Sequence, residues 1–199
     1  FDTANFPADL SLALGTHAVS PLELASAYTV LANGGYAVKP FLIQRIDNFA
    51  GETVFEATPA TVCRDCDEVL APADDSAELS MDEILANSTE AASNLPHAPR
   101  VMDAGVNYII DSILQDVITK GTGRRALVLE RGDLAGKTGT TNGPMDAWFS
   151  GYNRDVVTTA WVGFDNYTPL GQREFGGTAA LPIWINFMRE ALRDSPDVE

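Results

Sequence analysis

The sequence predicts an α+β fold, an antiparallel β-sheet flanked by helices. Two observations carry that reading. Three strand-like runs follow one another between residues 134 and 164, joined by turns too short to hold a crossover helix. Stretches with apolar residues at helical spacing stand before and after them.

In chain order, the first signalled element is a helix over 21–33. Ser20 with Glu23 makes a capping box, Pro21 occupies the first helical position, and Gly34-Gly35 stops the helix. Strands are expected over 41–49 and 53–56, with Ala50-Gly51 as the turn of a hairpin. A second helix is expected over 102–120, with Met102, Val106, Ile109, Ile110, Ile113 and Val117 as its apolar stripe and Gly121-Thr122-Gly123 after it. The three strands are placed at 134–141, 146–152 and 156–164. The last is almost wholly apolar or Thr, so it reads as a central strand covered on both faces. A closing helix over 180–193 presents Ile183, Trp184, Phe187, Met188, Ala191 and Leu192. No internal repeat is visible.

Charge narrows the possible functions. The 199 residues hold 13 Lys and Arg against 28 Asp and Glu, a net −15. A phosphate backbone needs clustered cations, and this chain has three Lys in all, so nucleic acid is excluded as a partner. An anionic membrane surface is disfavoured on the same ground. The best apolar run, Leu181 to Met188, is far short of the ~20 residues that span a bilayer. No cleavable leader is read at Phe1, so any export signal or anchor is expected on another part of a longer protein. Nine of the acids fall between Asp65 and Pro99, where there is no Lys or Arg. The remainder of the chain has 19 acidic against 13 basic side chains, a net −6. The residues at about 60–100 therefore read as an acidic surface insertion, with a short helix near Leu79–Leu85.

Several chemistries lack their residues. His17 and His97 are far apart, which gives no support to a His-based metal site or a Ser-His-Asp triad. There is no phosphate-cradling glycine loop. Cys63 and Cys66 supply two ligands where a structural zinc needs four, and they do not open a thioredoxin-like helix. A local Cys63–Cys66 disulfide in an oxidising compartment is the favoured reading, and no metal is expected.

The informative segment is Ala135-Gly136-Lys137-Thr138-Gly139-Thr140-Thr141. On a strand, Gly139 lets another backbone approach closely, and Lys137 with the Thr hydroxyls offers charge and donors to a carboxylate. An extended peptide can add to such an edge by main-chain hydrogen bonding. A Lys-Thr-Gly tripeptide alone is a weak signal.

Its surroundings are specific. Lys137-Thr-Gly-Thr-Thr-Asn, Asp146-Ala-Trp-Phe-Ser-Gly-Tyr and Ala160-Trp-Val-Gly-Phe-Asp follow in order. Upstream stand Leu12-Ala-Leu-Gly, Ser20-Pro-Leu-Glu-Leu-Ala, Leu31-Ala-Asn-Gly-Gly and Gly121-Thr-Gly. Together they resemble the end of a penicillin-binding protein transpeptidase domain, closest to the bifunctional class A enzymes, and the resemblance covers most of the chain outside the acidic insertion. The K-T-G motif belongs to the signature set of these proteins and of β-lactamases.

The resemblance implies a penicillin-binding/β-lactamase-like fold and acyl transfer without a cofactor. A Ser nucleophile attacks a peptidoglycan stem peptide, and the acyl-enzyme passes its acyl group to an amine on a neighbouring stem. It assigns Lys137 to the electrostatics around the nucleophile, and Thr138 and Thr140 to the terminal carboxylate that β-lactams mimic. The Thr140 N–H completes an oxyanion hole, and Gly139 keeps the strand clear. It further implies a glycosyltransferase on the parent protein, a membrane anchor outside this chain, and a location on the periplasmic face of the bacterial cytoplasmic membrane.

One departure is decisive for activity. None of the ten Ser residues has Lys three positions on, and no Ser-x-Asn occurs. The nucleophile is therefore expected upstream of Phe1, making residues 1–199 the C-terminal portion of one transpeptidase domain, unable to acylate alone. Alternative readings are a D,D-carboxypeptidase or β-lactamase, which pass the acyl group to water, and a non-catalytic penicillin-recognising module.

Overall fold

A capping box starts the first helix as expected. Ser20 Oγ accepts from the Glu23 N–H at 3.2 Å, and the Glu23 carboxylate accepts from the Ser20 N–H at 2.8 Å. Pro21 then opens helix α1 (Pro21–Ala32). The computed structural model describes residue 6, residues 9–63 and residues 96–198. At the end of α1 the Gly35 N–H closes on Val30 O at 2.8 Å, with φ of 73° at Gly34 and 99° at Gly35. A Cβ on Gly35 would stand 2.4 Å from Met102 O, so only glycine lets the returning chain dock here.

The hairpin forms but is shorter than predicted. Strand β1 (Arg45–Asp47) pairs antiparallel with β2 (Thr53–Glu56), with Ile46 opposite Phe55. Residues 41–44 are not strand, because the ladder ends where β2 ends; its last rung is Ala57 N–H to Gln44 O at 2.8 Å. Thr61 then bridges His97 and Tyr36 bridges Arg100. The Arg100 guanidinium lies 4.3 Å from the Tyr36 ring centroid and donates to Gly34 O at 2.9 Å. The described residues flanking 64–95 therefore lie side by side. The acidic run from Asp65, the expected helix at Leu79–Leu85 and Cys66 fall outside the described residues; Cys63 is in disulfide form.

Helix α2 (Ala104–Thr119) is capped by Asp103, whose carboxylate accepts from the N–H groups of Gly105 and Val106 at 2.8 and 3.2 Å. Only part of its apolar stripe is covered among the described residues. Val106, Ile109 and Ile113 are 48, 59 and 59% exposed, whereas Asn107 and Ile118 are buried. The helix is turned by what is available: Ile118 joins the core, α2 lies against the first sheet strand, and Asn107 Nδ2 donates to Leu31 O at 3.2 Å. Met102, Ile110 and Val117 of the predicted stripe are half-buried, while the described residues leave Val106, Ile109 and Ile113 uncovered.

The sheet comprises β3 (Ala135–Thr140), β4 (Asp146–Tyr152) and β5 (Val157–Gly163), antiparallel in the order β3-β4-β5. Among the described residues the central strand is therefore β4, not the 156–164 run. That run is apolar because α1 and the closing helix α3 (Leu181–Ala191) both lie against β5; cover by helices on two faces does not require a strand on either side. Side chains alternate along β4. Phe149 meets Trp184 of α3 at a ring distance of 4.9 Å. Tyr152 points oppositely, with its ring edge-on to Tyr28 of α1 at 6.2 Å and its hydroxyl donating to Asp111 of α2 at 2.6 Å. Burial, then the Asp111 carboxylate, push the Tyr152 phenol far above its ordinary pKa. The sheet thus stands between α3 and the pair α1 and α2. The main core includes Ile118 from the end of α2 together with Leu134, Phe149, Leu181, Trp184 and Met188.

A buried ion pair ties the chain end to the start of β3. Arg131 donates twice to the Asp133 carboxylate, at 2.8 and 2.6 Å, and also to the carbonyls of Ser195 and Pro196. Burial alone would raise the Asp133 pKa, yet Arg131 and the Asn153 amide hold it below the usual carboxylate value. A depressed folded-state pKa gives stability that is present above the unfolded value and lost as pH falls through the folded one. Asp133→Asn is therefore expected to cost about 2 kcal/mol at pH 7. The melting-temperature gap to the parent should narrow below about pH 4, near the ordinary Asp pKa; a gap of constant size down to pH 3 would remove the linkage.

Candidate functional site

The Lys-Thr-Gly segment occupies the outer strand of the sheet. Lys137 pairs with Ser150, Thr138 with Phe149, Gly139 with Trp148 and Thr140 with Ala147, all on β4. No strand among the described residues covers the other side of β3. Lys137 and Thr140 are exposed there, and Thr138 and Gly139 are half-buried.

Lys137 Nζ curls back along the strand. It donates to Thr138 O at 2.9 Å and stands 3.4 Å from Thr138 Oγ1. Among the described residues no carboxylate pairs with it, on a chain that is strongly acidic. Gly139 is tight for a packing reason as well, since a Cβ there would lie 3.1 Å from Trp148 Cβ.

Two segments outside the strand complete this edge. Thr122, in the loop after α2, places its Oγ1 2.8 Å from Thr138 Oγ1. The turn before α3 (residues 176–180) lies over the other Thr: the Gly176 N–H donates to Thr140 Oγ1 at 3.0 Å. Gly176 is obligatory at this point. A Cβ would fall 2.4 Å from Trp148 O and 2.6 Å from Gly139 O, both backbone atoms that cannot yield cheaply. Arg125 Nη1 donates to Gly177 O at 3.3 Å and joins the two segments.

The structure therefore brings Lys137, Thr138, Gly139 and Thr140 together with two unassigned partners, Thr122 and the Gly176-Gly177 turn. Gly121-Thr122-Gly123 stands among the segments that carry the resemblance, without a role of its own, whereas nothing in the sequence reading singles out Gly176-Gly177. The two histidines are remote from this edge: His17 stacks against Phe6 at 4.1 Å, and His97 bridges Thr61. Among the described residues no group of three or more His, Cys, Asp or Glu side chains could hold a metal ion. No described helix is long and apolar enough to cross a membrane.

An exposed ammonium beside two hydroxyls on a free strand edge suits an anionic, extended ligand. The family model described as the penicillin binding protein transpeptidase domain matches residues 5–188. The chain belongs to this family. Penicillin-binding protein 1A of Pseudomonas aeruginosa is 48% identical over 211 aligned residues, which cover 98% of this chain and 25% of that protein. Penicillin-binding protein 1A of Neisseria lactamica is 38% identical, over 98% of this chain and 21% of that protein. The chain thus spans about a quarter of the length of these curated relatives. The crystal structure of penicillin-binding protein 1A from Haemophilus influenzae superposes with a TM-score of 0.79 at 33% identity, over 97% of this chain and 29% of that one. PonA1 from Mycobacterium tuberculosis, at 22% identity and a TM-score of 0.72, shares the fold. It aligns with 100% of this chain and 44% of that one. The expected α+β transpeptidase fold is thereby shown.

Proposed function

We propose that this chain is the C-terminal portion of a peptidoglycan D,D-transpeptidase domain that works through a serine acyl-enzyme. The observation that carries the reading is the Lys137-Thr138-Gly139-Thr140 edge, open on one side among the described residues, within a chain of this family. The nucleophilic Ser-x-x-Lys and the Ser-x-Asn motif are placed on chain outside residues 1–199, since no Ser here has that spacing.

The stem peptide lies along β3 as an added strand. The Ser hydroxyl of the preceding portion attacks the penultimate D-alanine carbonyl, the terminal D-alanine leaves as the amine, and an ester forms. An amino group of a neighbouring stem then attacks that ester, making the cross-link and freeing the Ser. Lys137 favours the negative charge that develops around the nucleophile and the carbonyl. Thr138 and Thr140 donate to the terminal carboxylate, and the Thr140 N–H faces the oxyanion. A β-lactam presents the same carboxylate and carbonyl, which makes it an inhibitor. The reaction needs no cofactor. The parent protein would also carry a glycosyltransferase and a membrane anchor, and would act on the periplasmic face of the cytoplasmic membrane.

Intact mass and peptide mapping of the full-length protein after reaction with fluorescent penicillin test this directly. The label is expected on a Ser-x-x-Lys peptide outside residues 1–199, and none within them. Label on any of the ten Ser residues of this chain would overturn the assignment.

A further inference from the structure

Thr122 stands outside the Lys-Thr-Gly motif yet touches it, with 2.8 Å between its Oγ1 and that of Thr138. A hydroxyl has one proton and two lone pairs, so in such a pair one partner must donate. Lys137 Nζ, 3.4 Å from Thr138 Oγ1, carries only donors and cannot take the Thr138 proton. Thr138 is left with two settings. Either it donates to Thr122, or it accepts from Thr122 and turns its own proton outward. An anion at the strand edge selects the second, because each hydrogen bond in the chain from Thr122 to Thr138 to anion strengthens the other.

Thr140 is set in a comparable way by backbone. The Gly176 N–H fills one of its lone pairs at 3.0 Å, which directs the hydroxyl proton elsewhere. The two flanking segments also brace each other. A Cβ on Gly177 would come within 3.2 Å of Thr122 O, and Arg125 Nη1 donates to Gly177 O at 3.3 Å. Each segment therefore aims one of the motif's hydroxyls.

We infer that Thr122 is a positioning residue: its hydroxyl donates to Thr138 Oγ1 and turns Thr138 into a donor toward the carboxylate of the bound substrate or β-lactam. The identity of that carboxylate rests on the transpeptidase reading. No bond is made or broken by Thr122, and its contribution is to recognition of the anion and not to the rate of attack.

The test uses the full-length protein and benzylpenicillin, with acylation rates measured across penicillin concentration for Thr122→Val, Thr122→Ser and the parent. For Thr122→Val the half-saturating concentration is expected to rise about threefold to tenfold, with the limiting rate within about twofold. Thr122→Ser keeps the hydroxyl and should restore the parent value. In a Thr138→Val background, Thr122→Val should have no further effect, since the two act as one unit. Parent-like behaviour of Thr122→Val overturns the inference. So does an additive effect in the Thr138→Val background, or a fall in limiting rate together with a lowered melting temperature and no rescue by Ser. A parent protein that penicillin does not acylate removes the transpeptidase reading and this inference with it; that outcome is distinct from an acylated parent with a silent Thr122→Val.

Discussion

Lys137→Ala in the full-length protein is expected to slow acylation by β-lactams about 10²–10³-fold, the usual cost of deleting one group aimed at developing charge. The same variant should melt within about 0.5 kcal/mol of the parent. The two halves of this expectation have separate causes. Lys137 is exposed, and its polar contacts are to Thr138 O and, more loosely, Thr138 Oγ1. Its removal therefore strands no buried partner, and the β3–β4 ladder does not depend on it. The electrostatic loss is large because no carboxylate among the described residues pairs with it, and the chain around it is acidic. Lys137→Arg is a useful companion. It keeps the charge but replaces a compact ammonium by a wide, planar fork, so it should recover only part of the rate. Stopped-flow acylation with fluorescent penicillin, read alongside thermal melting, measures both quantities. Acylation within a few-fold of the parent would take Lys137 out of the mechanism.

What could be read from the sequence was what is local or contiguous. The α1 start was legible because Ser20 and Glu23 satisfy each other's backbone within one turn. The site strand was legible because Lys137, Thr138, Gly139 and Thr140 are consecutive and the β3–β4 connection is short. Three things were not. Periodicity gives the apolar stripe of a helix but not the surface opposite it, so it does not show that Val106, Ile109 and Ile113 stay exposed among the described residues. Likewise, an apolar run shows that a strand is covered, while its neighbours in the sheet depend on topology; hence among the described residues β4 and not β5 is central. The site partners were hidden for a related reason. Thr122 meets Thr138 across 16 positions and Gly176 meets Thr140 across 36, and such contacts leave no period to detect.

The largest stability loss is expected at Trp184, which is fully buried on α3. Trp184→Ala should cost about 3–5 kcal/mol, the range for deleting a large core aromatic. The indole packs at 4.9 Å and 59° against Phe149, and its Nε1 donates to Gly151 O at 3.3 Å and Thr158 O at 3.2 Å. One side chain thus joins α3 to both β4 and β5. Room for it comes from Gly151, where a Cβ would sit 2.8 Å from Trp184 Cζ2. Trp184→Phe separates the two contributions: it keeps most of the apolar contact and loses the indole donor, for an expected cost of about 1 kcal/mol from the hydrogen bonding. The consequence for the site follows from the chain path. The 176–180 turn runs directly into Leu181 at the start of α3, so an α3 that no longer seats on the sheet also releases the Gly176 N–H from Thr140. Below its melting point, Trp184→Ala should therefore bind penicillin more weakly than its folded fraction predicts. Denaturant unfolding gives the folded fraction, and acylation titrated at the same temperature gives the binding. Acylation that tracks the folded fraction would mean that the turn holds its place without α3.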